Sequence, residues 1–166
     1  MCIYTLLSIR LRKRNIKYSI LGSGVQIERK ITIYTDGAAR GNPGPSASGF
    51  MAYEGKRMVK AHAEYNGNST NNYSEYKAVS LALGWCASNL DAGECTVELY
   101  SDSELMIRQL NGAYKVKSQA LKPLNEQINR IVGKFRLVKF GNVRRENIYI
   151  KAVDRSLNVL LDERDS

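Results

Sequence analysis

The sequence has few of the residues that zinc proteins, disulfide-stabilised proteins and membrane proteins depend on. It contains a single histidine, His62, and three cysteines, none of them in a C-x-x-C pair. Zinc sites need clustered Cys and His ligands, so the composition argues against one. An odd number of cysteines in a chain of 166 residues, long enough to bury a core without disulfides, predicts reduced thiols in a cytoplasmic protein. No stretch approaches about 18 consecutive apolar residues, which excludes a membrane-spanning helix.

Acidic residues are also scarce. The chain has 16 Asp and Glu against 25 Lys and Arg, which gives a formal charge of +9. Such an excess favours a polyanionic partner such as nucleic acid. Several of the acids nevertheless stand where strands end or on apolar helix faces, where a charge is costly. These positions define the candidate site.

Residues 1–29 differ from the rest of the chain. An apolar start is followed by the basic cluster Arg10–Arg14, and no acidic residue precedes Glu28. A secretory signal would place its charges before the apolar run, which is the reverse order. We expect either an extra strand or helix packed on the main domain, or a basic arm that touches nucleic acid, with Leu21–Gly24 as the joint. Residues 30–166 then form the main domain, which we expect to be monomeric.

The apolar periodicity of that domain predicts the order β-β-β-α-β-α-α-β-α. The predicted strands are Ile31–Asp36, Ala47–Tyr53, Arg57–Tyr65, Cys95–Ser101 and Leu137–Val143. The predicted helices are Tyr73–Asn89, Ser103–Asn111, Leu121–Phe135 and a last one that includes Ile150–Leu161. Short turns make the first three strands antiparallel, and a helical crossover makes the fourth parallel to the first. The fold class is therefore α/β, with a mixed five-stranded sheet flanked by helices.

Two predicted strands finish in the same way. In Ile31–Pro45, ITIYTDGAARGNPGP, an apolar strand reaches Asp36 just before Gly37, and Leu99–Ser103 repeats this pattern around Asp102. An aspartate can simply start a turn, which is the alternative for Asp36. Strands that end alike can lie side by side, and two close carboxylates resist joint ionisation unless a cation lies between them.

Glu75 lies in line with the buried stripe of its predicted helix. The positions i+4, i+7 and i+11 after it are Val79, Ala82 and Cys86. The alternative is a capping box from Asn72 to Glu75, which would explain the glutamate by helix initiation alone.

Asp154 occupies a similar position in the last helix, with Ile150, Leu157 and Leu161 on the same face. A buried carboxylate needs compensation, by a shared cation or by a buried salt bridge. The candidate partners for such a bridge are Arg144, Arg145 and Arg155. His62, by contrast, alternates with apolar residues in its strand, as expected of a surface strand residue rather than a catalytic base.

Four carboxylates without a histidine or cysteine nucleophile favour hard, oxygen-preferring cations, namely Mg²⁺ or Mn²⁺ in its place. Paired ions about 4 Å apart can activate water and stabilise the leaving oxygen of a phosphodiester. This chemistry would explain why a basic chain gathers acids.

Over Ile31–Glu163, the motifs of the chain resemble those of type 1 ribonuclease H. They are Y-T-D-G-A-A-R-G-N-P-G-P, T-N-N-Y-S-E, Y-S-D-S-E-L, R-Q-L-N-G-A-Y-K-V and V-D-R-S-L-N, in that family's order. The resemblance implies a ribonuclease H-like catalytic domain. It also implies an endonuclease that hydrolyses the RNA strand of RNA–DNA hybrids and leaves 5′-phosphate and 3′-hydroxyl ends.

The resemblance further implies roles for individual residues. Asp36, Glu75, Asp102 and Asp154 would coordinate the two magnesium ions. The predicted contacts to the RNA minor groove are Gly37, Asn42, Asn71 and Ser103. Thr70 and Asn42 would hold a phosphate of the DNA strand. Small polar groups of this kind suit the recognition of 2′-hydroxyls.

The chain departs from the family's pattern at several positions, including Glu104 in place of a common glutamine and a longer link over Ile148–Val153 before Asp154. No histidine lies between Val143 and Asp154, so it resembles the histidine-free subgroup that includes archaeal enzymes. The segment Asn111–Leu121 is too short for the basic protrusion of some members, which Lys115, Lys117 and Lys122 would replace in part. The alternatives are a nuclease of the same fold that acts on double-stranded RNA or DNA junctions, and a non-catalytic nucleic-acid-binding module.

Overall fold

A mixed β-sheet forms the centre of the structure, a computed structural model that describes residues 17–21 and 24–165, with side chains from 29 to 164. The strands are β1 Lys17–Leu21, β2 Gly24–Ala39, β3 Gly44–Glu54, β4 Arg57–Ser69, β5 Cys95–Ser101 and β6 Leu137–Asn142. The main sheet has the order β4-β3-β2-β5-β6, and β1 pairs with the first part of β2. β2, β3 and β4 are antiparallel, whereas β5 and β6 run parallel to β2. The predicted mixed five-stranded sheet is confirmed.

Helices cover both faces of this sheet. They are α1 Asn71–Asn89, α2 Glu104–Leu110, α3 Lys122–Val132 and α4 Ile148–Asp165, with a 3-10 turn at Ala92–Glu94. Pro123 lies in the first turn of α3, where its missing N–H costs nothing. Of the helices described, none is long and apolar enough to cross a membrane.

Strand alternation sorts the side chains into two cores. Ile31 and Ile33 of β2 face α1 and α3 in the larger core, which also buries Cys86 and Cys95 as free thiols. Tyr34 faces the other way, against the smaller core under α4. The prediction of reduced, buried thiols is confirmed for these two cysteines, while Cys2 lies outside the described residues.

β2 continues past the aspartate at which it was predicted to end. Its parallel pairing with β5 stops at Tyr34, opposite Tyr100, but its antiparallel pairing with β3 runs on to Ala39. The turn itself begins at Arg40, whose N–H donates to the Pro45 carbonyl at 2.8 Å. Asp36 therefore lies inside a strand, and the interpretation that it merely starts a turn is wrong.

β4 is also longer than predicted. Residues 67–69 lie beyond its predicted end at Tyr65, yet they pair with β3 as far as Ser69 opposite Gly44, with a register shift at Asn66. Asn66 turns inward and donates to Ser48 Oγ at 2.7 Å and to Ser74 Oγ at 3.2 Å. Its amide nitrogen is thus satisfied beneath the start of α1, whereas its buried Oδ1 accepts no hydrogen bond from the described residues.

The N-terminal segment continues the sheet. Leu21–Gly24, predicted as a joint, is instead where β1 and β2 meet, with Leu21 paired to Gly24. β2 runs without a break through residues 29 and 30, where the domain boundary was placed. The basic cluster Arg10–Arg14 lies outside the described residues.

Candidate active site

Asp36 and Asp102 come together because of strand register. Tyr34 is the parallel partner of Tyr100, so Asp36, two residues further along β2, and Asp102, which directly follows the end of β5, come to the same edge of this strand pair. The charge of Asp102 acts on Asp36, which shows that the two carboxylates lie close together. Asp36 is buried, with 8% of its surface exposed, and its Oδ1 accepts the Gly37 N–H at 2.8 Å.

Glu75 reaches this pair because β2 and α1 approach very closely. A Cβ atom on Gly37 would lie 2.3 Å from the Glu75 nitrogen and 2.4 Å from the Ser74 carbonyl carbon. Only glycine allows such a backbone contact. Gly37 was predicted as an RNA contact, and the structure gives it a packing role that brings Glu75 toward Asp36.

Both oxygens of Glu75 are already hydrogen-bonded. Asn71 Nδ2 donates to Oε1 at 2.9 Å, and Ser103 Oγ donates to Oε2 at 2.5 Å. Asn71 is in turn tied to the β2–β3 turn, because its N–H donates to Asn42 Oδ1 at 3.2 Å. Three of the predicted substrate contacts, Asn42, Asn71 and Ser103, therefore form one network that ends on Glu75.

Thr70, and not Asn72, caps α1. Its Oγ1 accepts the Tyr73 N–H at 3.2 Å, and the helix begins at Asn71. The capping-box interpretation of Asn72 and Glu75 is therefore wrong, and helix initiation does not explain Glu75. Thr70 stays next to Asn71 at the exposed edge of the site, where its predicted phosphate contact stays a prediction.

Asp154 shares a cleft with Asp36. The cleft has a volume of about 270 Å³ and is lined by Asp36, Arg145, Glu146, Ile150, Lys151 and Asp154. Among the described residues Asp154 forms no ion pair within 4.0 Å, so the predicted alternative of a salt bridge to Arg144, Arg145 or Arg155 is not found. Arg145 and Lys151 instead line the opening of the cleft. Arg145 was predicted near Asp154 only as a salt-bridge partner, and Lys151 was not predicted at this site.

The charges of the four acids act on one another. Burial, followed by the negative charge of Asp102, raises the pKa of Asp36 to about 8, and the charges of Asp154 and Glu75 add to it. Burial also raises the pKa of Glu75, as does the charge of Asp102, while the hydrogen bonds from Ser103 and Asn71 act in the opposite direction. The site concentrates negative charge beyond what its own hydrogen bonds compensate.

These residues match a hard divalent cation in their chemistry. All the available ligands are carboxylate oxygens, the type that Mg²⁺ and Mn²⁺ prefer. Within the described part of the chain, no three Asp, Glu, His or Cys side chains already form a closed metal cage. Both oxygens of one of the four acids, Glu75, are meanwhile engaged by Asn71 and Ser103.

A second, larger cleft of about 590 Å³ begins at Glu75 and Ser103 and extends between α1 and the segment that joins α2 to α3. Tyr114, Lys115 and Lys117 lie along it. Arg108 is held over the Tyr114 ring at 5.3 Å. The predicted basic segment Asn111–Leu121 therefore borders a groove that leads to the acids.

His62 lies outside both clefts. Its ring packs near that of Phe50, with centroids 5.8 Å apart, and its Nε2 is 3.5 Å from Glu64 Oε2. The prediction of a surface strand residue is confirmed.

The chain is similar to known proteins in both sequence and structure. The model described as RNase H matches residues 28–154. A ribonuclease HI of Halobacterium salinarum is 38% identical over 94 residues, which cover 56% of this chain and 46% of the relative. A bifunctional protein of Mycobacterium tuberculosis is 32% identical over 136 residues, which cover 80% of this chain and 36% of the relative. The chain thus spans less than half the length of these two curated relatives.

Solved structures are similar over nearly their whole length. The crystal structure of ribonuclease H1 from Halobacterium salinarum superposes with a TM-score of 0.74 at 31% identity, covering 81% of this chain and 98% of that one. The structure of LC11 ribonuclease H1 in complex with an RNA/DNA hybrid superposes with a TM-score of 0.76 at 35% identity, covering 82% and 99%.

Proposed function

This chain belongs to the ribonuclease H family, and on that premise we propose that it hydrolyses the RNA strand of RNA–DNA hybrids, leaving 5′-phosphate and 3′-hydroxyl ends. The observation that carries the proposal is the burial of Asp36 among three further carboxylates in a chain of net charge +9. A carboxylate cluster of this kind repels phosphate unless cations intervene, so it argues for metal-assisted phosphodiester chemistry rather than simple binding.

The metal ligands would be Asp36, Glu75, Asp102 and Asp154. Two Mg²⁺ ions, or Mn²⁺ in their place, would supply water activation and neutralise charge at the scissile phosphate. Asp36 is held within β2 and Asp102 directly after β5, whereas Glu75 is held by hydrogen bonds from Asn71 and Ser103 and would rotate to bind the ions. Arg145 and Lys151 would attract the phosphate toward Asp36 and Asp154, in the region where other members carry a histidine.

Substrate recognition would use the network that ends on Glu75. Asn42, Asn71 and Ser103 lie beside the acids, and rotation of Glu75 would free the Asn71 amide and the Ser103 hydroxyl to bind the 2′-hydroxyls of RNA. Thr70 and Asn42 would hold a phosphate of the DNA strand, with Gly37 leaving the backbone open. The groove lined by Lys115 and Lys117 would receive the duplex backbone.

The test is cleavage of uniformly labelled RNA–DNA hybrid, duplex RNA and duplex DNA, side by side, with Mg²⁺ and with EDTA. We expect cleavage of the hybrid alone and its loss in EDTA. Asp102→Asn should lower hybrid cleavage by at least about 10³-fold with an unchanged circular dichroism spectrum.

Each other outcome favours a named alternative. Preferential cleavage of duplex RNA would indicate a nuclease of the same fold with a different substrate. Binding of the hybrid without cleavage at any Mg²⁺ or Mn²⁺ concentration would indicate a binding module. Full activity of Asp102→Asn would contradict the assigned site.

A further inference from the structure

Four tyrosines lie together on the sheet face that α4 covers, and the proposed function uses none of them. They are Tyr34 on β2, Tyr53 on β3, Tyr100 on β5 and Tyr149 in the first turn of α4. The Tyr34 ring stacks on Tyr149 with centroids 4.5 Å apart and planes at 17°, and on Tyr100 at 5.7 Å and 27°. Tyr53 meets Tyr149 edge-on at 5.0 Å. We call Tyr100, Tyr34 and Tyr149 the tyrosine stack.

Each member of the stack stands near one of the acids. Tyr34 precedes Asp36 by two residues within β2 and shares a sheet face with it. Tyr100 lies two residues before Asp102, which directly follows β5. Tyr149 precedes Asp154 by five residues, about 1.4 helical turns. The stack therefore joins the three elements that carry three of the four acids.

The far part of α4 is anchored independently. Val153, Leu157 and Leu161 are buried in the smaller core. Gly49 allows the helix to approach, since a Cβ there would lie 2.8 Å from Leu157 Cδ2. An ion pair between Arg40 and Asp162 secures the last turns. These contacts fix the C-terminal part of the helix, from Leu157 onward.

The first turn of α4 depends on fewer contacts. Ile150 is buried, whereas Ile148 is 72% exposed. Asn147 caps the turn, because its Oδ1 accepts the Tyr149 N–H at 2.9 Å. The ring of Tyr149 is the large side chain that joins this turn to β2.

The ring of Tyr149, rather than its hydroxyl, makes these contacts. No residue within the described ranges hydrogen-bonds the hydroxyl of Tyr34 or Tyr149. Aromatic stacking needs two rings in a fixed offset arrangement, which an aliphatic side chain of similar volume cannot provide.

We propose that Tyr149 is a positioning residue, which by stacking on Tyr34 fixes the first turn of α4 and so places Asp154 against Asp36 for divalent-cation binding. The inference rests on the proposed metal site, but it concerns how this chain builds that site. A misplaced carboxylate ligand lowers the affinity for the divalent cation. It does not alter the groove that would receive the duplex. The stack should therefore affect metal affinity and kcat, and leave KM for the hybrid unchanged.

The experiment measures Mn²⁺ binding by titration calorimetry without nucleic acid, and then hybrid cleavage. Tyr149→Leu should weaken Mn²⁺ binding about tenfold and lower kcat by a similar factor at limiting metal, with KM unchanged. Tyr149→Phe keeps the ring and should stay within about twofold of the unaltered protein. If Tyr149→Leu fails to fold, Tyr149→Met provides the same comparison.

Tyr65→Leu is the matched control. Tyr65 packs on the same core under α4, but at the far end, beneath the Arg164 guanidinium at 5.3 Å. It should leave Mn²⁺ affinity unchanged. Unchanged affinity in Tyr149→Leu, or an equal loss in Tyr65→Leu, would overturn the positioning role. If the unaltered protein binds Mn²⁺ with the expected dependence on Tyr149 but does not cleave hybrid, the positioning role stands and the proposed substrate fails.

Discussion

Asp36 concentrates the electrostatic cost of the site in one side chain. It is buried, it faces the charges of three other acids, and its main compensation is the N–H of Gly37. The pKa of about 8 means that the metal-free protein holds a proton there at neutral pH. A divalent cation has to displace that proton, so metal binding and proton release are coupled.

The same pKa predicts how Asp36→Asn changes stability. The pKa rises from 3.8 in the unfolded chain to about 8 in the folded one, so the folded protein binds more protons between these values. The contribution of Asp36 to the free energy of unfolding is therefore fully present below pH 3.8 and is lost as pH rises through about 8. Asparagine mimics the protonated acid and can still accept the Gly37 N–H. In EDTA at pH 8, Asp36→Asn should therefore raise the free energy of unfolding by about 2 kcal/mol, although it abolishes cleavage.

Urea denaturation at pH 4.5 and pH 8 measures this effect, and the advantage of the variant should shrink at the lower pH. Asp91→Asn is the control, because Asp91 is exposed and its side chain makes no capping hydrogen bond. The same gain at both pH values, or a loss of stability at pH 8, would show that like-charge repulsion does not dominate at Asp36.

At the scale of elements, the closest contact in the site is that of β2 with the start of α1. It brings Glu75 to Asp36, and it depends on Gly37 having no side chain. Beneath it, Ser48 Oγ donates to the Ser74 carbonyl at 2.7 Å, and Asn66 donates to Ser48. The position of Glu75 is therefore set by backbone contact and a buried polar network.

Two glycine substitutions should have opposite effects on stability. Gly37→Ala forces backbone atoms apart, because its Cβ would lie 2.3 Å from the Glu75 nitrogen, and it should cost about 2 to 3 kcal/mol. Gly84→Ala lies inside α1 with no atom within 4 Å of the new Cβ, and it should stabilise by about 0.5 to 1 kcal/mol. The midpoints of urea unfolding measure both. Similar midpoints for the two variants would mean that β2 and α1 can separate freely.

The elements differ in how much their sequence determines. β5 was predicted with the bounds it has, because Gly93 precedes it and a helix follows Asp102. The end of β4 was missed, because Gly67 and Asn68 are turn formers locally and become strand residues only by pairing with β3. The strand pattern predicted Asp36 and Asp102 as site residues, and the helical period predicted Glu75 and Asp154. The tyrosine stack and the place of Arg145 and Lys151 in the cleft could not be predicted, because they depend on which faces meet after folding.

For the whole molecule, the distribution of charge separates two tasks. Acids are gathered around Asp36, where β2 loses its pairing with β5, while Lys115 and Lys117 line the larger cleft that begins at Glu75. A basic surface around an acidic centre attracts a polyanion and delivers its phosphates to bound cations. Lys115 and Lys117 would then contribute to substrate affinity and leave the chemical step unchanged.

The double variant Lys115→Ala/Lys117→Ala tests this separation. We expect KM for the hybrid to rise about tenfold, kcat to stay the same, and the slope of log affinity against log salt to fall by about 2, close to one unit for each lysine that no longer neutralises a phosphate. Lys56→Ala/Lys60→Ala removes the same charge from the β3–β4 hairpin, at the other end of the sheet, and should change the slope by less than about 0.5. Equal slopes for the two double variants would mean that hybrid binding depends on net charge alone. A fall in kcat for Lys115→Ala/Lys117→Ala would mean that these two lysines take part in the chemical step. The expected difference between the variants follows from position, because both remove two charges and only one pair borders the groove that ends at Glu75.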